Sequence, residues 1–108
     1  MRIFAVTLLL AEAATSYALR AQEAGDPRMG LHYARQVCAY CHAVEKGDKF
    51  SPNHLAPSFQ DIANTPGMTG ISLAVILHSV HENMPNFVLT PNERDNIIAY
   101  ILSLSHER

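Results

Sequence analysis

Within this 108-residue chain, Cys38-Ala39-Tyr40-Cys41-His42 is the segment best equipped to do chemistry. Two cysteines three apart, followed at once by histidine, form the pattern that attaches haem covalently. On a helix, residues three and four apart share a face. Both thiols can then reach the two vinyl groups on one edge of a porphyrin. His42, one residue on, can aim an imidazole nitrogen at the iron from the same side. Two thioether bonds let a very small protein keep haem without enclosing it in a large pocket.

Other uses of a C-x-x-C pair leave marks that this chain lacks. A redox-active dithiol sits beside a βαβ pattern, and no period-2 strand pattern is visible. A zinc site needs a second pair of ligands at matching spacing, yet only two cysteines exist and the remaining histidines are scattered. A plain disulfide suits an oxidising compartment but leaves His42 unexplained.

Iron held by one histidine needs a second axial partner, and a His/Met pair is the usual electron-transfer arrangement, with a raised potential. Of four methionines, Met1 is the initiator and Met29 lies too near the attachment motif to reach the far side of a ring. Met68 and Met84 remain. Met84 precedes Pro85 in an irregular stretch far along the chain, where an extended loop can lay a thioether across the ring; Met68 suits core filling. His78 and His81 are rivals for the position, and a histidine there would lower the potential. An open position would instead permit ligand binding. His32, His54 and His106 have no constellation around them.

These residues need elements to hold them. Met1-Arg2, an apolar run from Ile3 to Ala11, and Ser16-Tyr17-Ala18 form the three parts of a secretory signal peptide. Residues 1–21 are read as that signal, cleaved between 18 and 24, and residues 22–108 as one domain. The apolar run is shorter than the about 20 residues a spanning helix needs. A domain this small buries a modest core and often needs a staple or cofactor. Asp26-Pro27 is a helix start, and Gly30, Ala34, Val37, Cys38 and Cys41 recur at helical spacing. The first helix is therefore expected to run through the cysteine motif and stop near Lys46-Gly47. Thr90-Pro91-Asn92-Glu93 is a capping box with proline at the first helical position. Ile97, Tyr100, Ile101 and Leu104 follow on one face, whose partner is the small-residue face at Gly30 and Ala34. Between them, three proline-containing breaks leave a short helix near Ser58 to Ala63 and another from Thr69 or Ser72 to His78. Asn83-Met84-Pro85-Asn86 cannot be regular helix.

Composition excludes some functions. With 48% hydrophobic residues, 17% charged and a formal net charge of −2, nothing points to nucleic acid. No catalytic nucleophile or acid–base pair stands out.

Taken together, the chain from Asp26 to Leu104 resembles the class I monohaem cytochromes c. The likeness is carried by Gly30 eight residues before Cys38, by the attachment motif and Ala43-Val44-Glu45-Lys46-Gly47, and by Ala56-Pro57-Ser58-Phe59, Met84-Pro85 and Ile98-Ala99-Tyr100-Ile101. It is more narrowly similar to the small soluble periplasmic type found in proteobacteria. The resemblance implies an all-α cytochrome c fold: short helices and loops around one covalently attached haem c, with the terminal helices crossing. It places Gly30 at that crossing against Tyr100, the Pro57 carbonyl on the other nitrogen of His42, and Met84 as second axial ligand. It implies a periplasmic, monomeric one-electron carrier, not an enzyme, that docks transiently with redox partner proteins. Phe59, Ile71, Leu77, Ile97 and Ile101 are expected to bury the haem. Two features depart from the family. There is no tryptophan, and Lys46 and Lys49 are the only lysines, so a lysine-ringed docking face is not expected. A haem subunit of a larger oxidoreductase shares every site residue, and an open-site haem enzyme or sensor follows if Met84 does not ligate.

Overall fold

The computed structural model describes residues 25–81 and 83–106, so the signal reading of residues 1–21 lies outside the described residues. Four α-helices follow one another: α1 (Pro27–Gln36), α2 (Phe59–Asn64), α3 (Gly70–His78) and α4 (Pro91–Ser103), with a 3₁₀ turn at Cys38–Tyr40. The sole extended pairing among the described residues is an isolated antiparallel bridge between His81 and Met84.

Each helix begins on a residue suited to it. Asp26, Ser58, Thr69 and Thr90 are the N-caps, and each side chain accepts a hydrogen bond from a backbone N–H of the first turn. At Thr90 the cap is reciprocal, since Glu93 also accepts from the Thr90 N–H. The expected starts of α1, α2 and α4 therefore agree with the structure, and of the two expected for α3 the structure takes Thr69.

Helices α1 and α4 pack closely, and two residues set how closely. A Cβ on Gly30 would lie 2.0 Å from the Asn96 carbonyl oxygen and 2.8 Å from the Tyr100 Cβ, so only glycine allows this approach. The Asp26 N–H donates to Asn96 Oδ1 at 2.7 Å, tying the start of α1 to the middle of α4. Ala34, Ile97, Tyr100, Ile101 and Leu104 are buried at and beside this crossing.

One expectation fails here. Helix α1 stops at Gln36 instead of continuing to Lys46-Gly47. Val37 leaves helical geometry at φ −121°, and the chain tightens into the 3₁₀ turn. Val37 is β-branched, which disfavours a further regular turn. The Cys41 carbonyl is then taken by the Asn53 N–H, twelve residues on, and not by a continuing helix. Gly47, which seemed to end the helix, sits at φ +79° in a separate turn where the Asp48 N–H donates to the Glu45 carbonyl.

Candidate functional site

The cysteine motif is built on that 3₁₀ turn. The Cys38 carbonyl accepts from both the Cys41 N–H (3.1 Å) and the His42 N–H (2.9 Å). In a 3₁₀ turn residues i and i+3 eclipse, so Cys38 and Cys41 keep a common side by a different geometry from the expected α-helical face. The following backbone is held by the 51–59 segment. The Asn53 N–H donates to the Cys41 carbonyl (3.1 Å), Ser51 Oγ accepts from the Ala43 N–H (2.9 Å), and the Phe59 N–H donates to the Ala43 carbonyl (2.9 Å).

This segment also brings Pro57 to His42. His42 Nδ1 lies 2.6 Å from the Pro57 carbonyl oxygen. A carbonyl can only accept, so Nδ1 carries a proton, and in the neutral imidazole the lone pair is on Nε2. Bonds of this kind orient a metal-binding imidazole and strengthen it as a donor. The His42 ring also leans on Phe59, centroid to centroid 5.5 Å, and Phe59 in turn on Tyr100 at 6.3 Å. The Tyr100 hydroxyl donates to the Val44 carbonyl at 2.6 Å.

Cys38, Cys41 and His42 open onto a cavity of about 570 Å³, within the size range of small-molecule and cofactor sites. Its walls are mostly apolar: Phe59, Leu73, Leu77, Ile97 and Ile101 contribute, and Met84, Met68 and His81 reach it as well. A cleft walled by aliphatic and aromatic side chains, with two thiols and an imidazole nitrogen at one place, fits a flat apolar macrocycle with a metal at its centre.

Two local observations weigh against other thiol chemistry. Burial pushes the Cys38 thiol up to about 11, whereas a redox-active dithiol needs a lowered thiol pKa. Cys38 and Cys41 are unbridged. Among the described residues, moreover, no three His, Cys, Asp or Glu side chains come close enough to hold a metal ion as zinc ligands do.

Ile71 does not take part as expected. It is 81% exposed and absent from the cavity wall. On α3, Leu73, Ile76 and Leu77 are spaced to share the face turned to the cavity, which leaves Ile71 and Val75, four apart, on another. His78 is exposed at the end of the same helix, away from the cavity. Gln60 is a residue that sequence reasoning missed. It is buried, accepts from the Gly47 N–H at 3.1 Å and donates to the Leu104 carbonyl, joining the loop after the motif to α2 and α4. Arg35 was also missed; it pairs with Glu45 through two bonds of 2.5 and 3.0 Å. Neither has a sequence signal, because partner spacings of this kind follow no local period.

The family of cytochrome c oxidase, cbb3-type, subunit III matches residues 25–101. The chain is also 36% identical over 99 residues to a protein named cytochrome c-552 from Bradyrhizobium diazoefficiens, an alignment spanning 92% of this chain and 91% of that one. No solved structure matches at a significant level.

Proposed function

The chain belongs to the monohaem cytochromes c, in the family of the cbb3-type subunit III domain, and on that premise we propose which of its residues make it an electron carrier and where it works. Haem c, the family's covalent cofactor, supplies a single electron-accepting and electron-donating iron. Cys38 and Cys41 would form the two thioethers, His42 would bind the iron through Nε2, and Met84 would supply its second protein ligand. Pro57 holds the imidazole in place through its carbonyl. The observation that carries this assignment is the single apolar cavity reached by both thiols, by an imidazole with Nδ1 already engaged, and by the Met84 side chain.

The rest of the chain suits outer-sphere electron transfer. The motif backbone is bonded on both sides, which limits rearrangement when the iron changes charge. Tyr40 and Leu55 line the cavity and are 82% and 67% exposed, giving its mouth an apolar rim for brief docking of a redox partner. Lys46 and Lys49 are not part of that wall. Residues 1–21 are proposed to direct export and to be removed, leaving a monomeric carrier in the periplasm. No helix among the described residues is long and apolar enough to cross a membrane.

The test is the visible spectrum of the full chain matured with a haem-attachment system. Sharp reduced bands of a six-coordinate c-type haem are expected, with the weak far-red band of methionine-bound ferric iron, and Met84→Ala should abolish that band. Cys38→Ala with Cys41→Ala should leave no covalently bound haem. A high-spin spectrum in the parent protein would replace Met ligation by an open-site haem protein. Mass spectrometry of the exported product should find a new N-terminus between residues 18 and 24. A second role, as a resident subunit of a larger oxidoreductase, is favoured by the oxidase-subunit description of the matching family. Co-purification at native expression levels separates it from the free carrier.

A further inference from the structure

We propose that His81 is a stand-by ligand for the haem iron, which takes the position of Met84 when the Met84 thioether leaves it. This rests on the assignment of Met84 as axial ligand.

His81 and Met84 face each other across a tight antiparallel turn, with the Met84 N–H donating to the His81 carbonyl at 3.3 Å. Residues directly opposed in such a pair send their side chains to the same face. Both side chains accordingly line the haem cavity. Asn83 between them has φ +64°, a left-handed conformation that asparagine tolerates, so the turn holds the two side chains together.

His81 is also prepared electronically. Its Nδ1 lies 2.7 Å from the Ser79 carbonyl oxygen, the same kind of bond that His42 makes to Pro57. A proton therefore sits on Nδ1, and in the neutral ring the lone pair is on Nε2. In the exchange one iron–sulfur bond would break and one iron–nitrogen bond, to Nε2 of the neutral imidazole, would form. Among the described residues, His42 and His81 are the histidines in the cavity wall, and no lysine is part of it.

The turn is only loosely packed on one side. A small second cavity of about 30 Å³ lies beneath it, lined by His81, Met84 and Phe87 among others. Val88 is 96% exposed. A segment with few buried apolar contacts opens at low free-energy cost, and a shift within this turn could exchange one side chain for its neighbour.

The experiment uses the haem-loaded protein with Met84→Leu, which keeps the loop filled, alone and combined with His81→Ala. Ferric spectra and electron paramagnetic resonance report the ligands, and cyanide titration reports an open position. Met84→Leu alone is expected to lose the far-red band yet stay low-spin with two nitrogen ligands. Adding His81→Ala should convert it to high-spin, whereas adding His78→Ala should not. If His81 occupies nine molecules in ten, cyanide should bind about tenfold more tightly once His81 is removed. A high-spin Met84→Leu protein whose cyanide affinity ignores His81→Ala would overturn the proposal and leave Met84 ligation standing. A far-red band that survives Met84→Leu would overturn both and point to Met68. Should the leucine variant fail to fold, warming the parent until its far-red band bleaches gives the same comparison. It should become low-spin and bis-histidine, and the His81→Ala protein high-spin; a high-spin parent would overturn the proposal.

Discussion

Tyr100 links the centre of the fold to the cysteine motif. Its hydroxyl donates to the Val44 carbonyl, two residues beyond His42, and its ring stands behind Phe59, which touches His42. In Tyr100→Phe the packing is kept while that buried carbonyl loses its donor. The expected cost is about 1–3 kcal/mol, the penalty for leaving a buried acceptor unpaired, read as a lower denaturant midpoint at unchanged slope. The same residue has a signature in pH. Burial, and then the Glu45 charge, raise the Tyr100 phenol above its ordinary 10.0, with Arg35 opposing. The unfolded chain therefore loses this proton first as pH rises. The contribution is complete below about pH 10 and is lost as pH climbs through the raised folded value. The alkaline limb of stability should thus be shallower in Tyr100→Phe than in the parent. An unchanged limb would mean that Tyr100 ionises alike in both states.

The crossing of α1 and α4 depends on a missing side chain. Gly30→Ala would place a methyl group 2.0 Å from a backbone oxygen that belongs to α4 and cannot swing aside. Relief requires the helices to separate, which loosens Ala34, Ile97 and Ile101 together. A loss of about 3 kcal/mol is expected, the upper end of ordinary overpacking costs, and unfolding in denaturant measures it. An equally stable Gly30→Ala protein would show that α4 can shift freely. Helix α3 behaves differently. Leu73 is buried while Ile71 and Val75 stand exposed, so it is apolar on more than one side. Only its inner face serves the cavity.

The whole molecule is organised around space that its own side chains do not fill. Leu73, Ile97 and Ile101 are buried core residues and also cavity wall, so the core and the cofactor site share residues. A chain this short buries a limited core, and wetting those walls would remove much of the hydrophobic stabilisation the fold has. Full-length protein carrying Cys38→Ser and Cys41→Ser, prepared without haem, should bind a hydrophobic dye and show no cooperative thermal transition, while the haem-loaded parent unfolds in one step. A cooperative transition in the haem-free protein would show that the helices suffice. Charge enters little at this scale. With a net charge of −2 and an apolar rim around the cavity mouth, docking owes more to contact than to long-range attraction.

By itself the sequence carried the haem-attachment motif at Cys38-Ala39-Tyr40-Cys41-His42, the starts of α1, α2 and α4 with two choices for α3, and the face of α4 that turns inward. These are local properties: a motif, caps at fixed offsets, and a period of 3.6 residues. Tertiary structure alone decided the rest. It stopped α1 at Gln36 and put the motif on a 3₁₀ turn, because the bonds that hold the motif come from residues 51–59. It turned Ile71 outward, because a helix that is apolar nearly all round does not announce which side is inside. It brought His81, Met68 and Met84 to one cavity, and it joined Gln60 to Gly47 and Leu104. Such meetings depend on how distant segments pack, and acceptors such as the Leu104 carbonyl belong to the backbone, which every residue shares and no residue type reveals.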